Sequence, residues 1–285
     1  MKVLFGVLLI VVGLVLLVGT VFSPLISSKK SNDKEVTADL TSVKEIDFSG
    51  TTVNWNIQIT DNDRLTVELL NEAREMGLLS KMQNGTLKIE VNEPKFRWFS
   101  FNFRGSTKAT VYLPKNYKGH LKVNSVSGDL SFSDDFTLED VKIKTVSGDV
   151  VGSTLSASHV EVATTSGDID MYHLTVNSLK ANSVSGDIQI GEMNGEVEGK
   201  TVSGDLYIQY ENENQKAYLK TVSGDVELLI PLANAVVSLN SISGNLRVEA
   251  KMHDQMIQPR SISGKIGEGL HQMTIKTTSG DIRIR

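Results

Sequence analysis

"KTVSGDV" at Lys144–Val150 recurs letter for letter at Lys220–Val226, and seven near-copies surround the pair. They begin at Asn124 (NSVSGDL), Ala163 (ATTSGDI), Asn182 (NSVSGDI), Lys200 (KTVSGDL), Asn240 (NSISGNL), Arg260 (RSISGKI) and Lys276 (KTTSGDI). Their glycines are Gly128, Gly148, Gly167, Gly186, Gly204, Gly224, Gly244, Gly264 and Gly280, spaced by 20, 19, 19, 18, 20, 20, 20 and 16 residues. A period near twenty marks a repeat architecture.

Apolar residues recur at fixed offsets from each glycine. Two and four residues after it stand pairs such as Leu130/Phe132, Ile169/Met171 and Val226/Leu228; seven and five before it stand Leu121/Val123, Val141/Ile143 and Val160/Val162. Spacing of two is strand spacing, so each repeat holds two short strands with the glycine between them. The offsets before the glycine are odd and those after it even. The valines two before it (Val126, Val146, Val184, Val202, Val222) share the even set. An unbroken strand would put the two sets on opposite faces, so the chain must turn a corner between them.

This pattern predicts an all-β fold: a single-stranded parallel β-solenoid of about 20-residue coils, with equivalent positions stacked about 4.8 Å apart. An antiparallel meander with Gly-Asp hairpin tips also fits the spacing, but gives no reason to keep Ser-Gly in every copy. Stacking assigns roles to the motif. Gly accepts positive φ or a close approach from the next coil, Ser bonds its neighbours in a ladder, and Asp accepts from turn N–H groups. The rival reading is a calcium ladder, since seven of the nine copies end in Asp (Asp129, Asp149, Asp168, Asp187, Asp205, Asp225, Asp281). Asn245 and Lys265 break that series, and the period is not that of calcium-binding β-rolls. Turn chemistry is therefore expected, with no metal and no cofactor.

Composition narrows the partners. The 285 residues carry a net charge of −5, and mild acidity argues against nucleic acid. With no cysteine, disulfides, thiolate metal sites and a Cys nucleophile are excluded. Val3–Phe22 is twenty residues without a charge, enough to cross a bilayer as one helix, and it lacks a small-x-small cleavage site. The expected organisation is a transmembrane anchor at 1–22, a polar linker at 23–39, irregular leading β coils or a cap at 40–120, and the regular Ser-Gly-Asp solenoid at 121–285. Lys2 favours a cytoplasmic N-terminus, whereas Lys29, Lys30 and Lys34 favour the reverse, so charge alone leaves the orientation open. Within 40–120, "NEAREMGLLSKM" reads as a short helix or loop and Asn84-Gly85 as a turn.

No catalytic set assembles from the sequence. His120, His159, His173, His253 and His271 lack metal-ligand spacing, and no phosphate loop, dinucleotide fingerprint or nucleophile elbow is present. "KFRWFSFNFRGS" (Lys95–Ser106) gathers Phe96, Trp98, Phe99, Phe101 and Phe103 beside Lys95, Arg97 and Arg104. It reads either as a strand pair plugging the end of the core or as a surface that touches lipid headgroups or an envelope polymer.

The apolar segment, the Ser-Gly-Asp repeats and the phrase "YLPKNYKGHLKVNSVSGDL" (Tyr112–Leu130) together resemble the bacterial candidate-adhesin β-strand-repeat family, over roughly residues 40 to 285. The resemblance implies a repeat domain outside the cytoplasm, a cytoplasmic N-terminus and a setting in cell-envelope stress, and it supplies no catalytic residues. The expected function is a membrane-anchored, non-enzymatic interaction or scaffold module whose partners are the membrane and a cell-wall polymer or envelope-stress membrane proteins. A polysaccharide-acting β-helix enzyme and a passive spacer are the alternatives.

Overall fold

The computed structural model describes residues 33–70, 76–92 and 107–285. The expected anchor at Val3–Phe22 and the aromatic stretch Lys95–Ser106 lie outside the described residues. Among the described residues there is no helix at all, hence none long and apolar enough to cross a membrane.

The leading strands are β1 (Glu35–Asp39), β2 (Glu45–Gly50), β3 (Val53–Thr60), β4 (Arg64–Leu70), β5 (Gly77–Gln83), β6 (Thr86–Asn92) and β7 (Thr107–Pro114). The regular part continues with β8 (His120–Ser125), β9 (Leu130–Lys144), β10 (Val150–Ala163), β11 (Ile169–Asn182), β12 (Ile188–Lys200), β13 (Leu206–Tyr210), β14 (Ala217–Lys220) and β15 (Val226–Leu229). It closes with β16 (Ala235–Ser243), β17 (Leu246–Val248), β18 (Met252–Gln258), β19 (Ser261–Ile266), β20 (His271–Ser279) and β21 (Ile282–Ile284). Glu35–Asp39, inside the stretch expected as a tether, is thus a strand, and so is Gly77–Gln83, where a short helix or loop was expected.

The stack is parallel and in register. Val150 lies beside Leu130 on one side and Ile169 on the other, and Ile188, Leu206 and Val226 continue the row. In the coil of Gly167 the buried positions are Val160, Val162 and Thr164, then Gly167, Ile169 and Met171, then Leu174 and Val176. The inward parity switches between Thr164 and Gly167, which is the expected corner. The corner is built differently from the expectation, however. Val146, Val184, Val202 and Val222 are only half-buried, whereas Thr145, Thr164, Ser183, Thr201 and Thr221, one residue earlier, are buried. Two consecutive residues point outward at the turn, so the inner corner falls to a small residue whose hydroxyl can bond the backbone.

Both ends depart from sequential stacking. At the first end, β2 and β3 stack directly on β8 and β9, while the later β6 and β7 lie on their outer side. Antiparallel β4, β1 and β5 close that end. The β5–β6 turn is Asn84-Gly85, both at positive φ (52° and 80°), as a two-residue hairpin requires.

At the other end the coil of β20 and β21 inserts between that of β14 and β15 and that of β16 and β17. The copy at Arg260, "RSISGKI", is not a coil. Ser261–Ile266 is β19, antiparallel to both β16 and β18, with Gly264 opposite Val237 in the middle of the strand. The nine expected successive coils are therefore eight motif coils in a shuffled order, with one look-alike. Asn234 holds the inserted coil in place, its Oδ1 accepting from the N–H groups of Glu268 (3.0 Å) and Leu270 (3.1 Å).

Candidate functional site

The repeated motif forms three columns along the corner of the stack. The first is glycine. A methyl group on Gly148 would lie 2.0 Å from the carbonyl oxygen of Gly128, and the same 2.0 Å separates Gly167 from Gly148, Gly186 from Gly167, Gly224 from Gly204 and Gly280 from Gly224. Close approach of successive backbones, not a left-handed turn, is what excludes a side chain at Gly148, Gly167, Gly186 and Gly224.

The second column is hydroxyl. Thr145, Thr164 and Ser183 accept from the N–H of the glycine three residues on (3.1, 3.0 and 2.8 Å). Thr201, Thr221, Ser241 and Thr277 instead donate to a glycine carbonyl of the neighbouring coil (3.2, 3.2, 3.0 and 3.2 Å). The serine of Ser-Gly contributes its backbone: the N–H groups of Ser147, Ser166, Ser203 and Ser223 each bond a carbonyl one coil away.

The third column is carboxylate. The N–H of Asp149 donates to Oδ1 of Asp129 (3.2 Å), Asp168 to Asp149 (2.9 Å), and Asp187, Asp205 and Asp225 each to the preceding Asp at 2.8 Å. Asp281 then donates to Asp225 (2.7 Å), skipping 56 residues of chain. Asparagine ends the ladder on both sides. Asn54 Oδ1 accepts from the N–H of Asp129 (3.1 Å), and Asn245 donates its N–H to Asp281 Oδ1 (2.7 Å) and its amide to both oxygens of that carboxylate. These bonds from Asn245 lower the Asp281 pKa below the ordinary carboxylate range. From Asp129 to Asp225 each aspartate accepts the N–H of the next coil on Oδ1, and at Asp281 both oxygens accept from Asn245. Asp187, Asp205, Asp225, Tyr207 and Glu227 line a shallow open groove of about 370 Å³ beside the column.

On the other side of the corner runs a row of lysines. Lys200, Lys220 and Lys276 are direct neighbours on three parallel strands. Lys200 also bonds Glu198, lowering that carboxyl's pKa, and sits 5.3 Å from the ring of Tyr218. Further along the same face Lys122 meets Asp47 (2.9 Å) and Lys142 meets Glu161 (2.6 Å).

Two histidines that look scattered in sequence come together here. His120 and His159 each place Nδ1 2.8 Å from a separate oxygen of Asp140, and His173 lies 2.8 Å from Glu192. Their separations of 20 and 19 residues from Asp140 equal one coil each, a spacing set by the repeat and not by any metal-ligand motif. Among the described residues no group of three or more His, Asp or Glu is arranged to hold a metal ion.

Stacked parallel coils with charged rows of fixed pitch define a parallel β-repeat protein. Residues 43–285 match the model of the Toastrack DUF4097 family, and the chain belongs to that family. A candidate adhesin from Bacteroides fragilis shares its fold with a TM-score of 0.53 at 15% identity, over 88% of this chain and 96% of the other. A candidate adhesin from Parabacteroides distasonis does so with a TM-score of 0.50 at 14% identity, over 88% and 96%. No curated protein matches the sequence.

Proposed function

We propose that this chain is a non-enzymatic interaction module held at the outer face of a cell membrane by Val3–Phe22, where its charged rows engage an envelope polymer or a membrane protein. The observation that carries this reading is the use made of the motif. Its glycines pack against the neighbouring coil, its hydroxyls bond the backbone of the turn or of the next coil, and its carboxylates bond between coils, so the repeat builds a rigid presenting surface and not a set of active sites. Family membership and the adhesin-like neighbours support the same class. The layout of apolar segment, polar linker and repeats resembles LiaG of the Lia cell-envelope stress-response system in Gram-positive bacteria, and we place the protein in that setting.

Protease shaving of intact protoplasts tests the reading. Digestion of the β domain without lysis is expected; full protection until lysis would put the domain inside the cell and remove the proposed partners. Co-sedimentation of the full chain with purified cell-wall polymer, without release of fragments from it, distinguishes binding from the polysaccharide-cleaving alternative.

A further inference from the structure

The end of the stack at β17 is open. β17 pairs with β21 on one side and, among the described residues, with no strand on the other. The N–H of Ile282 bonds the carbonyl of Asn245, and the N–H of Glu249 bonds that of Ile284. In a parallel ladder this turns the backbone groups of Leu246, Val248 and Ala250 away from β21, toward the free edge. Their side chains continue the inward rows of Ile282 and Ile284, yet Leu246 and Val248 are only partly buried where Ile282 and Ile284 are fully so. On the face of β16, Ile262 is half-covered and Ile257 is 68% exposed, on β19 and β18, which continue that face beyond β16.

The edge sequence is Leu246-Arg247-Val248-Glu249-Ala250. Laid antiparallel on itself about Val248, it sets Arg247 opposite Glu249 of the second copy and Glu249 opposite Arg247. Leu246 then meets Ala250 on the inner side, and Val248 meets Val248. The free backbone groups of Val248 fall in the phase of a hydrogen-bonded pair, so charge, apolar side and backbone agree in one register. Within one chain Arg247 Nε already lies 3.1 Å from Glu249 Oε1 with both side chains outward, ready to exchange partners. The opposite end of the same face behaves differently. Its edge strand β1 reads Glu35-Val36-Thr37-Ala38-Asp39, and self-pairing would set Glu35 against Asp39, a like-charge clash that blocks it. One end is guarded and the other is self-complementary.

We propose that β17 is a homodimer edge: two copies join by antiparallel β17–β17 pairing about a two-fold axis through Val248, and the pairing covers the apolar end of the stack. A closed dimer follows, because the same patch serves both copies.

The absence of native cysteine makes a direct test possible. In the full chain in mild detergent, Val248→Cys is expected to give a disulfide-linked dimer on mild oxidation. The paired Cα atoms would be about 5.5 Å apart, inside the range of about 4.4–6.8 Å a disulfide spans. Val151→Cys, on an exposed position whose strand is paired on both sides, is expected to stay monomeric under the same oxidation. Analytical ultracentrifugation supplies the second arm. Arg247→Glu should weaken the dimer by about tenfold or more, since two attractive pairs become repulsive, and the double change Arg247→Glu with Glu249→Arg should restore it. Both are surface changes, and circular dichroism verifies that the fold is kept. Overturning results are equal cross-linking at both positions, no cross-link at Val248, a double swap no better than the single one, or assembly into chains longer than a dimer.

Discussion

Gly167 stacks on Gly148 so closely that a Cβ on it would lie 2.0 Å from the Gly148 carbonyl oxygen, with the Thr164 hydroxyl at 3.0 Å on the other side. The obstacle is backbone, which cannot rotate away. Gly167→Ala is therefore expected to cost about 3 kcal/mol or more, at the upper end of overpacking effects, because two coils must part along the whole corner. Gly264→Ala is the control. It carries the same Ser-Gly context, but its nearest contact is the flexible end of Met252 at 2.8 Å, followed by the His253 carbonyl at 2.9 Å, so the loss should be clearly smaller. Urea unfolding of the two variants checks the order; equal losses would mean that the close approach is not what the glycines serve.

Much of this was legible in sequence, for a definite reason. A strand has a period of two and a coil a period near twenty, so Val141/Ile143 and Val150 declare their direction without help from the rest of the chain. The order of the coils was not legible. The copies around Gly244 and Gly280 carry the same turn chemistry, and nothing local says that β20 slips between β14 and β16. The look-alike at Gly264 could have been suspected, since Lys265 cannot accept the N–H bond that every ladder aspartate accepts. Asn54, the base of the carboxylate ladder, was hidden because Thr52-Val53 stands directly before it where the other coils have Ser-Gly.

The inserted coil makes an asymmetric prediction about deletions. Removing 271–285 takes away β20 and β21, which separate β14 and β15 from β16 and β17. Loss of protection from hydrogen exchange is expected across 235–248 as well, though those residues remain in the chain. A stack in simple chain order would lose only its last coil, with 235–248 still protected.

The buried hydroxyls should each contribute modestly. Thr221 donates to the Gly204 carbonyl at 3.2 Å and is fully buried. Thr221→Val keeps the shape and leaves that carbonyl without the bond, so a loss of about 1 kcal/mol is expected by chemical denaturation. A neutral result would mean that the inner corner is held by packing alone.

Acid should act on the end of the ladder. Asp281 has a lowered pKa, chiefly from the backbone N–H of Asn245 and then from its side-chain amide. A carboxyl depressed on folding contributes stability that is present above its unfolded pKa and lost as pH falls through its folded value. That window lies below the ordinary aspartate value of 3.8. An NMR titration of the Asp281 carboxyl should find it below that value, and Asn245→Ala should move it upward. No movement would detach the shift from the Asn245 side-chain amide and leave it to the backbone N–H, which Ala keeps.

The carboxylate column is a hydrogen-bonded ladder between coils and not a string of calcium sites. The most direct test is the melting temperature of the full chain and of Asp187→Asn and Asp187→Ala, each in excess chelator and in millimolar calcium. Asn keeps the oxygen that accepts the N–H of Asp205, as Asn54 does for Asp129. Asp187→Asn should therefore melt close to the parent and Asp187→Ala lower, by about 1 kcal/mol of stability, with calcium leaving all three in place. A large calcium-dependent rise in the parent that Asp187→Asn abolishes would contradict it.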